Sequence, residues 1–245
     1  MNKGLSVIIG VTSILCACSS SKMGTSATQL NTLTKQEKKE GWELLLDGKT
    51  TNGWHTYNRD TVSKNWKVVD GVLIMDPKAK TSSGMEDLIT NNEYENYELS
   101  LEWSISEQGN SGIIFNVKES PKFGNTFVTG PEMQILDNIK ASDNKQENHL
   151  AGLLYDIHGT AAMSKPKPVG EWNLARIMQK NGHLTFYFNG VKTLDVQQGS
   201  EEWKNMIARS KFKTWTDFAS ATKGKIALQD HGYEVAFRNI KIRKI

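Results

Sequence analysis

The sequence predicts an all-β domain, a sandwich or barrel, carrying one short helix. Three observations predict it. About a dozen short apolar segments recur at regular spacing from Trp42 to Ile242, separated by turn residues. Two pairs of these segments flank Asp70-Gly71 and Asn189-Gly190, dipeptides that supply the positive φ angles of tight hairpins. Residues 97–103 alternate strictly, with Tyr97, Leu99, Leu101 and Trp103 on one face.

Taken in order, residues 42–46 form a strand that ends at Asp47-Gly48. Residues 66–69 and 72–75 pair as a hairpin across Asp70-Gly71, and 97–103 supply the alternating strand. Further strands are expected at 111–117, 132–136, 152–157 and 172–178. Residues 183–188 and 191–196 pair across Asn189-Gly190, and the chain closes with strands at 225–229 and 235–242. One segment breaks the pattern. Ser200 can cap a helix over 201–209, with Glu201 and Glu202 in the first turn and Arg209 near the end, as the helix dipole prefers.

The N-terminus sets the compartment. Lys3 precedes an apolar run, 5–15, of signal-peptide length and too short for a stable membrane anchor. It ends in Leu15-Cys16-Ala17-Cys18, where Leu15 and Ala17 suit cleavage before Cys18 and lipidation of Cys18. The expected organisation is a lipoprotein signal peptide at 1–17, a Ser/Thr/Lys/Gln-rich tether at 18–40 and a domain at 41–245. A short helix at 35–40 is the alternative reading of the end of the tether. The expected location is the bacterial cell envelope, attached to the membrane through the N-terminal lipid. Ser19-Ser20-Ser21-Lys22 has no acidic run, which favours the periplasm-facing side. Both cysteines of the chain lie in this leader, so the domain is stabilised by its core and not by disulfides.

Charges of both signs are interspersed, for a net charge of +3, and no basic stripe carries interleaved aromatics. That composition excludes a nucleic-acid partner. The sequence contains no nucleophile elbow, phosphate loop, zinc-protease motif or paired-cysteine metal site. The suggestive features are polar clusters on strands. Alternation places Glu132 and Gln134 on one face, opposite Met133 and Ile135. It also groups Gln229 with His231, and Trp172 with Leu174 and Arg176, leaving Asn173 on the other side. Carboxylates and amides match the mixed donor and acceptor character of sugar hydroxyls, and the seven tryptophans offer faces for sugar C–H groups. Gln229-Asp230-His231-Gly232 reads equally as a turn whose Asp and Gly serve the backbone.

Several segments, in order, carry a family resemblance. They include Gly41-Trp42-Glu43-Leu44-Leu45-Leu46-Asp47-Gly48-Lys49 with Gly53-Trp54, Gly109-Asn110-Ser111-Gly112-Ile113 and Pro131-Glu132-Met133-Gln134-Ile135-Leu136-Asp137. Gly152-Leu153-Leu154-Tyr155-Asp156, Gly170-Glu171-Trp172-Asn173, Ser210-Lys211-Phe212, Leu228-Gln229-Asp230-His231-Gly232 and Phe237-Arg238-Asn239-Ile240 complete the set. The chain resembles the 3-keto-disaccharide hydrolase domain family from about Gly41 to Ile245. The resemblance implies a concanavalin A-like jelly roll of two antiparallel sheets, the concave one holding a carbohydrate. It implies cleavage of 3-keto-glycosides, by hydrolysis or by elimination across C1–C2. It places Glu132, Gln134, Asp137, Asn173, Arg176, Gln229 and His231 on motif positions expected to line the concave face.

The chemistry explains what such a site needs. A ketone at C3 acidifies the C2 proton, so a base can remove it and the C1 substituent can leave. A base near C2, a stabiliser for the C3 enolate oxygen and an acid for the departing oxygen are then required. His231 is the first candidate for the base or a metal ligand, since a neutral imidazole accepts a proton or coordinates a cation near pH 7. Glu132 is the second candidate. Arg176, an amide or a divalent cation would face the enolate. Gln134, Asp137, Asn173, Gln229 and Trp172 are expected to hold the sugar. The alternative is a non-catalytic carbohydrate-binding lipoprotein on the same fold.

Overall fold

The computed structural model describes Met1 and residues 29–245 except Ser83. The leader and the lipidation candidate Cys18 lie outside the described residues. Among the described residues thirteen strands follow in order: β1 (Trp42–Leu44), β2 (Trp54–Thr56), β3 (Trp66–Val69), β4 (Val72–Met75), β5 (Leu88–Thr90), β6 (Tyr97–Ile105), β7 (Asn110–Val117), β8 (Glu132–Leu136), β9 (Asn173–Lys180), β10 (His183–Phe188), β11 (Val191–Gln197), β12 (Lys225–Leu228) and β13 (Val235–Lys244). Two helices join them, α1 (Lys35–Lys39) and α2 (Glu201–Arg209).

The strands form two antiparallel sheets. The larger runs β11-β10-β9-β6-β13-β4-β3, with β1 added along β13; the smaller runs β2-β5-β12-β7-β8. This is the expected jelly-roll sandwich of concanavalin A-like type. Both hairpin dipeptides turn as their chemistry dictates, with φ of 50° and 82° at Asp70-Gly71 and 46° and 84° at Asn189-Gly190. The alternating strand β6 sends Tyr97, Leu99, Leu101, Trp103 and Ile105 into the core between the sheets. There Trp103 stacks on Phe188 at 5.8 Å, and Phe115 meets Phe186 edge-on at 5.6 Å. Helix α2 forms over the expected residues, with the Ser200 side chain accepting from the Trp203 amide and Trp203 and Met206 buried.

Three local expectations are corrected. Residues 152–157 do not form a strand: Leu154 makes only isolated bridges to Met133 and His158, while Gly152 and Asp156 take left-handed φ angles of 79° and 59°. The segment is a turn, because Gly152 must let the Phe188 ring lie where a Cβ would sit, 2.2 Å away. Strands β2 and β5, three residues each, are absent from the sequence reading; runs this short carry almost no period. Finally, residues 29–40, read as the end of a tether, pack on the domain. Thr34 and Glu37 form a capping box on α1, and Glu37 pairs with Lys241. The buried Asn31 exchanges backbone-to-side-chain bonds with Asn239 at 2.8 and 2.9 Å.

Candidate active site

The smaller sheet has two dissimilar faces. Met133, Ile135, Ile113 and Leu228 point into the main core. The outward face carries Ile89, Ile114 and Ala227 in a second small cluster and, beside them, Glu132 and Gln134. Loops 137–158 and 210–220 and the 3-10 turn Thr126–Val128 rise around this face and enclose a cleft of about 150 Å³. Its lining includes Glu132, Gln134, Gln229 and His231, so four of the expected site residues converge although they come from strand β8 and the loop after β12.

Glu132 lies on the cleft floor with 7% of its surface exposed. It folds over Gly112 of the neighbouring strand, where an added Cβ would lie 1.8 Å from Glu132 Oε1. Its carboxyl has no hydrogen-bond partner among the described residues, and burial, reinforced by Asp87 and Asp143 and opposed by Lys211, pushes its pKa up to about 8. Gln229 is held by its backbone to Gly112 at 3.0 Å, and its side-chain oxygen is buried with no hydrogen-bond partner among the described residues. Such an acceptor at a cleft wall is matched by a ligand hydroxyl. His231 is exposed at the rim, its ring near-parallel to Tyr233 at 6.4 Å.

The Gln229–Gly232 loop is anchored from behind. Asp230 is fully buried and accepts from Lys80 Nζ at 2.7 Å, Asn65 Nδ2 at 3.1 Å and the Glu86 amide at 3.1 Å. Its other oxygen accepts from the Gly232 amide at 2.9 Å, the turn role that the sequence allows for this motif. The Asp230 amide donates to Asp87, whose carboxyl burial pushes up to about 6. Asp230 thus takes the turn role, while Gln229 and His231 on either side of it border the cleft.

The opposite wall is made by residues that sequence reasoning does not single out for chemistry. Lys211 Nζ donates to the Tyr155 hydroxyl at 3.0 Å, and that hydroxyl donates to Asp143 at 2.8 Å. Burial and the bond to Asp143 hold the Tyr155 phenol well above its ordinary range. Trp215, Phe127 and Phe212 give the cleft an aromatic side, with Trp215 36% exposed and set 6.2 Å from Phe127. The signal for these groups is present only as the motifs around Tyr155 and Lys211, which periodicity cannot interpret.

The remaining expected site residues are elsewhere. Arg176 lies on the outer face of the larger sheet, where Nε donates to the buried Glu98 at 3.0 Å and the guanidinium stacks over Tyr187 at 5.4 Å. Trp172 shares that outer face and is covered by Arg238 at 4.1 Å. Asn173 turns inward and its side-chain oxygen accepts from the Lys167 amide at 2.8 Å, holding a loop. Asp137 caps the turn after β8, accepting from the amides of Gln108, Ile139 and Lys140. Alternation groups Trp172 and Arg176 correctly on one face, opposite Asn173, but β9 belongs to the sheet that turns its polar side away from the cleft. Among the described residues no group of three or more His, Cys, Asp or Glu side chains is placed to hold a metal ion.

Comparisons with known proteins place the chain in a family. A curated relative from Bacteroides thetaiotaomicron named 3-keto-disaccharide hydrolase is 32% identical, over 89% of this chain and 83% of that protein. A Parabacteroides distasonis crystal structure, provisionally called a glycosyl hydrolase, superposes with a TM-score of 0.80 at 33% identity, covering 89% of this chain and all of the other. A second Parabacteroides distasonis structure of the same provisional description gives 0.64 at 28% identity, covering 83% of this chain and 99% of the other. These likenesses support a carbohydrate-active, glycoside-acting protein. The family model for the 3-keto-alpha-glucoside-1,2-lyase-like domain matches residues 41–243, and the chain belongs to that family.

Proposed function

We propose that the cleft cleaves 3-keto-glycosides by elimination across C1–C2, with Glu132 as the base. The observation that carries this reading is a buried carboxyl with no hydrogen-bond partner among the described residues, its pKa raised to about 8, on the floor of a cleft lined by amides and aromatic rings. A carboxylate desolvated in this way is a stronger base than one in water and suits a carbon acid α to a ketone. Glu132 takes the C2 proton, the electron pair passes to the C3 oxygen, and its return forms the C1=C2 bond as the C1–O bond breaks. Lys211 offers an ammonium to the C3 oxygen, replacing Arg176 in that role. His231, at the rim, supplies a proton to the departing oxygen. Gln134 and Gln229 hold hydroxyls, and Trp215 takes a sugar face. Addition of water to the unsaturated product would complete a net hydrolysis. The Leu15-Cys16-Ala17-Cys18 leader supports placing this reaction in the envelope on a lipid-anchored protein, and Ser19-Ser20-Ser21-Lys22, which carries no acidic run, supports the periplasm-facing side.

The unpartnered Gln229 oxygen and the aromatic wall also suit binding without turnover. Incubation with a 3-keto-glucoside, with and without chelator, separates the two. Release of the aglycone supports the elimination, and loss of release in chelator would assign a cation to it. Saturable binding with no release would leave a binding protein.

A further inference from the structure

Behind the cleft lies a buried imidazole that the reaction above does not use. His149 ends the 3-10 turn Glu147–His149, and its Nδ1 and Nε2 lie 2.7 Å from Asp143 and 2.9 Å from Asp156. Each ring nitrogen lies within hydrogen-bonding distance of a carboxylate oxygen, so the ring bridges the two acids. The second Asp143 oxygen accepts from the Tyr155 hydroxyl, which accepts from Lys211 Nζ. The Lys211 backbone amide donates to the second Asp156 oxygen at 2.6 Å. The bonds therefore close a ring running Lys211, Tyr155, Asp143, His149, Asp156 and back to Lys211. Neither His149 nor Asp156 lines the cleft.

We infer that His149 is a positioning residue: by bridging Asp143 and Asp156 it locks Tyr155 and seats the Lys211 ammonium at the cleft. The location of the parts explains the need. Asp143, Tyr155 and Asp156 lie in the long connection between β8 and β9, and Lys211 opens the 3-10 turn after α2. A lysine on a largely exposed segment has a flexible four-carbon stem and loses rotamer freedom when held. Here one end of Lys211 is fixed through its amide on Asp156 and the other through its ammonium on Tyr155, and both fixings trace back to one ring. His149 also packs on Tyr155, centroid to centroid at 4.4 Å. The Lys211 ammonium in turn sits 4.1 Å over the Tyr155 ring.

The activity arm of the test rests on the function proposed above; the spectroscopic arm does not. Two folded variants, His149→Gln and Asp156→Asn, alter no cleft-lining residue themselves. In each, kcat on a 3-keto-glucoside is expected to fall about tenfold to a hundredfold with KM little changed, as misplacement of a reacting group does. Lys211→Met added to His149→Gln should cause little further loss, because the ammonium has already left its seat. Independently, the Lys211 side-chain protons, lying over the Tyr155 ring, should resonate upfield in the ligand-free protein. Lys211→Met assigns the signal, and it should move to the position of exposed lysines in both variants. Native Lys211 shifts with native kcat in either folded variant would overturn the inference. Moved shifts in a protein whose wild type turns over no 3-keto-glycoside would sustain the positioning role and refute the proposed reaction instead.

Discussion

Replacement of Glu132 by Gln makes the buried carboxyl measurable without any substrate. Burial raises its pKa from the ordinary 4.5 to about 8. Between those values the folded protein binds a proton that the unfolded chain releases, so stability falls as pH rises through the window. The full rise corresponds to about 5 kcal/mol, of which about 4 kcal/mol is lost between pH 5 and pH 8. A glutamine has the same shape and no charge to desolvate, and any packing difference it introduces is independent of pH. Urea unfolding of both proteins across pH 5 to 8.5 should therefore show the variant gaining on the wild type as pH rises, by about that amount. The same titration governs activity. If the ionised form is the base, kcat/KM should climb about tenfold per pH unit below pH 8 and level above it. A stability difference that stays flat over the range would mean that Glu132 titrates like an exposed carboxylate, and the argument for it as a strong base would fail.

Other substitutions separate the cleft from the rest of the molecule. Gly112→Ala forces Glu132 aside, and turnover should fall tenfold or more against a stability loss of about 1–3 kcal/mol; near-native kinetics would show that the position of Glu132 does not matter. Trp215→Ala should raise KM several-fold, matching about 1 kcal/mol of lost stacking, with kcat little affected. Arg176→Ala should leave kcat and KM unchanged while unfolding about 1 kcal/mol earlier, because Glu98 keeps Arg243 as a partner; a loss of turnover would restore the enolate role expected from the sequence.

The sandwich was legible because strand signals repeat: alternation in β6 and the Asp-Gly and Asn-Gly turns each carry a local physical reason. The polar face of Glu132 and Gln134 was legible for the same reason. Alternation says which residues share a face, however, and not which sheet turns that face toward the cleft, so Trp172 and Arg176 were grouped correctly and placed wrongly. Tyr155 was hidden in a segment whose apolar run imitates a strand, although Gly152 and Asp156 bend it into a turn. Lys211, Asp143 and His149 come from loops, where spacing has no period. The meeting of Lys211 with this group depends on hydrogen bonds to Tyr155 and Asp156, more than fifty residues away in the chain, which no local pattern encodes.

The fate of the C2 hydrogen tests the central claim most directly. A 3-keto-glucoside deuterated at C2 should release deuterium to water one-for-one with the aglycone, with a slowed rate, and Glu132→Gln should abolish both releases. Aglycone release with the deuterium still on C2 would contradict the elimination and the role of Glu132 together.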